Sequence, residues 1–210
     1  MYSLPALVLA ALAGLTASAP TPSSNIAHIG QTCGQFFSGP ASNFPPQSSW
    51  ESFDTIFNAN KNNMFSTGDT GEDIGRMYNA INSAAASIGV EQRVILAIIL
   101  QESSGNVGVG CTTAPDGSQS CGLMQADGSP GFPGQHGLSQ DQINGMVNSG
   151  TQHFKGNLQQ EGNADDARTI YSALRLYNSG SIDDSNLSNG LGATDSYVSD
   201  IANRLTGSVC

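Results

Sequence analysis

The sequence predicts a mainly α domain, six to eight helices packed around one buried helix. Three observations carry that expectation. Val94 to Leu100 is an unbroken run of seven apolar residues, and a helix built on it has no polar face, so protein must surround it. Elsewhere, apolar residues recur at helical spacing between capping signals. Alternating runs of strand type never exceed a few positions, which leaves no extended sheet to expect.

Taken in order, the chain opens with an apolar stretch, Leu4 to Leu15, too short to span a bilayer. It is followed by Ala17-Ser18-Ala19, the small-x-small pattern of a signal peptidase site. Residues 1–19 are therefore expected to be a signal peptide of a secreted protein, with a membrane anchor as the alternative. Residues 20–48, rich in Pro, Ser, Gly and Asn, read as an irregular N-terminal segment, and 49–210 as the folded domain. Ser48-Ser49-Trp50-Glu51 has capping-box spacing and predicts a helix to about Asn60, with Trp50, Phe53 and Phe57 on one face. Asp69-Thr70-Gly71-Glu72 repeats that spacing before a helix over 72–87, whose stripe is Ile74, Met77, Tyr78, Ile81 and Ala85; Gly89 ends it. The buried helix follows over 91–103.

Gly122 to Gln125 is expected to begin a further short element. The run Gly128 to Gly134, with Pro130 and Pro133, reads as a loop over one wall of a cleft. Ser139 and Gln142 predict a helix to about Asn148, with a second from Thr151 to Gln160. Asn163 is read as the cap of a helix over 164–177 bearing Ala167, Ile170, Tyr171, Leu174 and Tyr177. Thr194-Asp195 is read as the start of the last helix, with Tyr197, Val198, Ile201 and Leu205 on one side.

Seven Lys+Arg against seventeen Asp+Glu give a formal net charge of −10 and a pI near 4.3. That field disfavours nucleic acid and anionic membrane surfaces as partners. No second apolar run approaches membrane length, and a monomer is expected. Four cysteines in a secreted chain suggest two disulfides. Of three possible pairings, Cys111–Cys121 closes a short polar loop and Cys33–Cys210 ties the ends, and these two are favoured. Without Cys-x-x-Cys, and with His28, His136 and His153 at no ligand-like spacing, neither a metal nor another cofactor is expected. Asn186-Leu187-Ser188 is a sequon, so Asn186 is a candidate glycosylation site.

The candidate chemistry lies in three segments. Leu100-Gln101-Glu102-Ser103-Ser104-Gly105 closes the buried helix, Ser120-Cys121-Gly122-Leu123-Met124-Gln125 follows, and Leu176-Tyr177-Asn178-Ser179-Gly180 comes later. A carboxylate at the rim of a buried helix is costly to ionise. A carboxyl kept protonated beside an apolar wall is what a departing glycosidic oxygen requires. Read singly, each residue has a plainer role: Glu102 a helix-terminal carboxylate, Met124 a core side chain, Tyr177-Asn178 a helix stop.

In order and spacing, the three segments resemble the lytic transglycosylase and goose-type lysozyme superfamily, glycoside hydrolase family 23, over residues 74 to 205. The tail from Tyr197 to Leu205 is similar to a secreted fungal branch of lysozyme-like proteins. The resemblance implies a lysozyme-like fold whose central helix ends in the catalytic acid, Glu102. It implies a cleft lined by Gln101, Ser103, Gly122, Leu123, Met124, Gln125, Tyr177 and Asn178, and a polysaccharide substrate. Leu176 stands where the family has Ala, and Ala126-Asp127-Gly128 replaces the family's proline, which alters the neighbouring subsite. A second carboxylate, Asp116 or Asp127, would activate water if it stood about 6.5–9.5 Å from Glu102. Otherwise Glu102 would serve alone, and the sugar's 6-hydroxyl would attack. Expected substrates are β-1,4-linked polymers with N-acetylhexosamines, peptidoglycan first and chitin next. The alternatives are a lysozyme-fold endo-β-1,4-mannanase and a non-catalytic carbohydrate-binding or host-interacting protein. The acidic charge weighs mildly against an anionic wall.

Overall fold

The structure, a computed structural model, describes residues 33–114 and 116–210. The expected signal peptide and the first part of the irregular segment lie outside the described residues. The fold is mainly α: α1 (Phe53–Ser66), α2 (Gly71–Ile88), α3 (Gln92–Ser103), α4 (Gln140–Gln160), α5 (Ala167–Ser179) and α6 (Tyr197–Leu205). Between α3 and α4 lies an antiparallel sheet of three short strands, β1 (Thr112–Thr113), β2 (Gln119–Cys121) and β3 (Ala126–Asp127). Their register pairs Thr112 with Ser120 and Cys121 with Ala126.

α3 is the centre of the molecule. Every side chain from Val94 to Leu100 is at most 1% exposed, and α1, α2 and α6 pack around it. Each such aliphatic side chain contributes about 1.5–3 kcal/mol on burial, which fixes α3 by its surroundings rather than by one face. The helix stops because Ser104 and Gly105 turn left-handed, with φ of 55° and 79°. α2 begins on a complete capping box in which Thr70 and Asp73 cap each other, one residue beyond the Asp69–Glu72 spacing; the helix starts at Gly71, and Gly89 closes the far end at φ 73°.

Four other boundaries also differ from the sequence expectation, each for a local reason. α1 starts at Phe53, capped by the Ser52 hydroxyl, which accepts from the Thr55 N–H at 3.1 Å. Pro45-Pro46 lead into a 3-10 turn over Gln47–Ser49, and Trp50 leaves that turn extended. Its indole N–H donates to the Tyr171 hydroxyl at 3.0 Å, so Trp50 belongs to the α5 contact, not to the face of Phe53 and Phe57. α4 is one helix, not two, because Gly150 is a packing residue: a Cβ there would collide with the Met124 side chain. α5 is capped by Asp166, which accepts from the Thr169 N–H at 2.8 Å, while Asn163 is a left-handed turn residue at φ 57°. α6 starts at Tyr197; Thr194 and Asp195 instead close the preceding turn, their oxygens accepting from Arg175 and Gly190.

The sheet was not expected, since strands of two or three residues are too short to show alternation. Gly122 to Gln125 is the tight connection between β2 and β3 rather than a new element. Cys111 is bonded to Cys121 and Cys33 to Cys210, the pairings favoured from the sequence. The segment after Cys33 is a strap over α6: Gln35 N–H donates to Asn203 Oδ1 at 3.1 Å and Phe37 N–H to Ser199 Oγ at 2.9 Å. Asn186 is docked on this strap, its Oδ1 accepting from the Gly39 N–H at 2.9 Å. Among the described residues no helix is long and apolar enough to cross a membrane.

Candidate functional site

Glu102 lies in the last turn of α3. Its Oε1 accepts a hydrogen bond from the Tyr197 hydroxyl of α6 at 2.6 Å, the one hydrogen bond to this carboxyl among the described residues. Protein surrounds the carboxyl, although the residue keeps a partly exposed edge. Burial raises its pKa to about 7, and the Tyr197 hydrogen bond opposes only part of that. Burial holds the Tyr177 hydroxyl protonated, and the charge of nearby Glu102 adds to that.

The three motif segments meet here, joined by two hydrogen bonds. Ser103 Oγ donates within reach of Leu123 O at 2.8 Å and Ile99 O at 2.9 Å, linking the end of α3 to the β2–β3 connection. The Tyr177 hydroxyl donates to Met124 O at 2.6 Å, linking α5 to the same connection. That connection is shaped by close approaches. Gly122 sits at φ 72°, where a Cβ would stand 2.6 Å from Pro130 O, and Met124 lies against Gly150 of α4.

The structure separates the expected cleft residues into two groups. Leu123 and Met124 are fully buried, so they shape the site without facing a ligand. Gln125 is also buried, at φ 45°, and its side chain points inward: Nε2 donates to Gly122 O at 2.9 Å and Gly110 O at 3.1 Å. Asn178 Oδ1 accepts from Arg175 and from the Thr194 N–H at 3.2 Å. Both amides thus serve the protein, where the resemblance implied contacts to sugar. Gln101 faces α6, accepting from Arg204 Nε at 3.1 Å.

The two candidate second carboxylates also part company. Asp116 is exposed at the tip of the β1–β2 hairpin and accepts from the Ser118 N–H at 3.0 Å and hydroxyl at 2.8 Å. Those bonds hold its pKa below the ordinary value; it is a turn-closing residue. Asp127 is exposed on β3, and its charge reaches His153 of α4.

Sequence reasoning missed Tyr197 and Arg175. A tyrosine within an apolar helical stripe reads as core, and nothing nearby marks its hydroxyl as a partner of Glu102. Arg175 is fully buried behind Asn178, donating to the carbonyls of Leu187 and Thr194 at 3.2 and 3.1 Å, and burial lowers its pKa. Its signal was an arginine on the inward side of the α5 stripe.

A groove of about 780 Å³ between α1 and α2, lined by Phe57, Lys61, Phe65, Arg76 and Tyr78, does not include Glu102. Its ionisable groups are mostly engaged with one another, Arg76 with Glu72 and Tyr78 with Asp54. Burial and chemistry place the candidate site at Glu102 instead. Among the described residues no three His, Cys, Asp or Glu side chains gather as metal ligands. No protein-family model matches the chain, and no curated protein is significantly similar to it.

Proposed function

We propose that this protein is a secreted glycosidase of lysozyme-like fold that cleaves β-1,4-linked polysaccharides, with Glu102 as the general acid. One observation carries the reading: a carboxyl with a raised pKa, on a residue that keeps a partly exposed edge, where the three motif segments converge. Protonated Glu102 gives its proton to the glycosidic oxygen as the bond to the anomeric carbon breaks. The hydrogen bond from Tyr197 fixes the carboxyl's orientation and stabilises the carboxylate left behind. Two disulfides suit an oxidising compartment.

The substrate class proposed first is a polymer of N-acetylhexosamines, peptidoglycan or chitin. The inward-turned amides of Gln125 and Asn178 remove two expected partners for acetamido groups, which favours β-mannan as the second reading. The test is release of reducing ends from peptidoglycan, chitin oligomers and β-mannan by the wild type and Glu102→Gln. Turnover on one polymer that disappears in the variant supports the proposal. No turnover on any of them leaves the non-catalytic carbohydrate-binding reading in its place.

A further inference from the structure

We propose that His153 is the second catalytic residue of this site, the base that takes the proton of an attacking water, with Asp127 as its positioning partner. This inference rests on the glycosidase reading of Glu102. Its geometry starts from α4. Gly150 is where α4 touches Met124, and one turn further on the same side comes His153. The imidazole meets the Tyr177 ring edge to face, with centroids 5.2 Å apart and planes at 88°. Tyr177 is the residue that ties α5 to Met124 and adjoins Glu102. His153 therefore stands beside the same convergence of segments from the α4 side, half-buried, with Asp127 of the neighbouring β3 as the charge acting on it.

The groups facing His153 from its other neighbours do not compete. Tyr177 of α5 presents its ring, and its hydroxyl is engaged with Met124. α2, packed along α4, carries its charged groups in its first turns beside the start of α4, where Asp73 and Arg76 are bonded at Leu138 and Glu72 to Arg76. Burial lowers the pKa of His153 and Asp127 restores part of it, whereas burial raises Glu102 to about 7. A neutral imidazole and a protonated carboxyl can then coexist in one pH window, the arrangement an acid–base pair needs. The step balances. Water oxygen bonds to the anomeric carbon and its proton passes to His153; the glycosidic bond breaks and the leaving oxygen takes the proton of Glu102. The imidazolium formed is favoured by the charge of Asp127.

The test compares pH–rate profiles and product masses for the wild type, Glu102→Gln, His153→Gln, His153→Asn and Asp127→Asn, each checked for folding by thermal unfolding. The expected result is a loss of about 10²–10⁴-fold in kcat/KM for both His153 variants, with the acidic limb of the profile abolished. Asp127→Asn should lose less, with that limb moved to lower pH, since its charge raises the imidazole pKa. Products should carry reducing ends. A further readout needs no turnover: the His153 ring resonances of Glu102→Gln should move when an intact oligomer of the cleaved polymer binds. Folded His153 variants that keep the wild-type rate and acidic limb, an anhydro sugar as sole product, or ring resonances unmoved by bound oligomer would each overturn this assignment alone. No wild-type turnover, or full activity in Glu102→Gln, would overturn the glycosidase reading and this inference with it.

Discussion

Asp73 sits in the first turn of α2 and Glu102 in the last turn of α3, both with carboxyls against the core. Asp73 accepts from the Thr70 N–H at 3.0 Å and hydroxyl at 2.7 Å, and from the N–H groups of Gly137 and Leu138 at 2.8 Å each. Burial alone would raise its pKa, but the bonds from Gly137, Thr70 and Leu138 together bring it below the ordinary value. Glu102 has one donor and lies at the negative end of its helix, so burial prevails. Asp69 falls between them: burial raises its pKa to about 6 against the Val107 N–H and His136, and its Oδ2 is buried without a partner among the described residues. Donor number, together with the helix end, separates a carboxylate that builds structure from a carboxyl that can hold a proton for transfer. Two of the four bonds to Asp73, from Gly137 and Leu138, pin the loop before α4 to α2; the single bond to Glu102 leaves capacity for a substrate.

That contrast can be broken at either carboxyl. Glu102→Gln has the largest expected effect, about a 10³-fold loss of turnover, with the fold intact. Its stability should also depend on pH in a set direction. The folded pKa of about 7 exceeds the ordinary 4.5, so the Glu102 contribution to wild-type stability is full below pH 4.5 and is lost as pH rises through 7. Thermal melts should therefore coincide at pH 4 and show the variant more stable at pH 8. Asp73→Ala is next, a loss of about 3 kcal/mol in urea unfolding, from the lost cap and the stranded N–H groups of Gly137 and Leu138. The Asp73 contribution is present above its unfolded pKa and is lost as pH falls through the depressed folded value. The gap between wild type and Asp73→Ala should accordingly narrow in acid.

Tyr197→Phe sharpens the comparison by leaving Glu102 with no donor. We expect a cost of about 1 kcal/mol and a basic limb of activity moved to higher pH, because the hydroxyl lowers the Glu102 pKa. The smallest effects belong to two glycines of α4. Gly150→Ala should destabilise by about 1 kcal/mol net and raise KM, the collision with Met124 exceeding the gain in helix propensity. Gly156→Ala, with open space at its Cβ, should stabilise by up to about 1 kcal/mol. Equal effects at the two positions would contradict the packing role given to Gly150.

Much of this arrangement was legible in the sequence. The apolar run from Val94 to Leu100 announced a central buried helix, and Gly89 marked the end of α2 where it occurs. The motif segments single out Glu102, Leu123-Met124 and Tyr177, and hydrogen bonds at 2.8 and 2.6 Å join those segments. What escaped depends on tertiary context. Ser48, Ser49 and Ser52 are all competent caps, and only the docking of Trp50 on Tyr171 selects the last. Gly150 reads as a breaker until Met124 is seen against it. Gln125 and Asn178 have the right chemistry for sugars, but a local sequence does not say which way an amide points.

Burial in this fold holds Glu102 protonated near neutral pH, and the carboxyl resonance measures this without any substrate. Titration of protein labelled with carbon-13 at the glutamate carboxyl, assigned by its absence in Glu102→Gln, should give a midpoint of about 7 for Glu102. Tyr197→Phe should move that midpoint upward. A midpoint at the ordinary value of 4.5 would make Glu102 a solvated helix-end carboxylate and contradict the account.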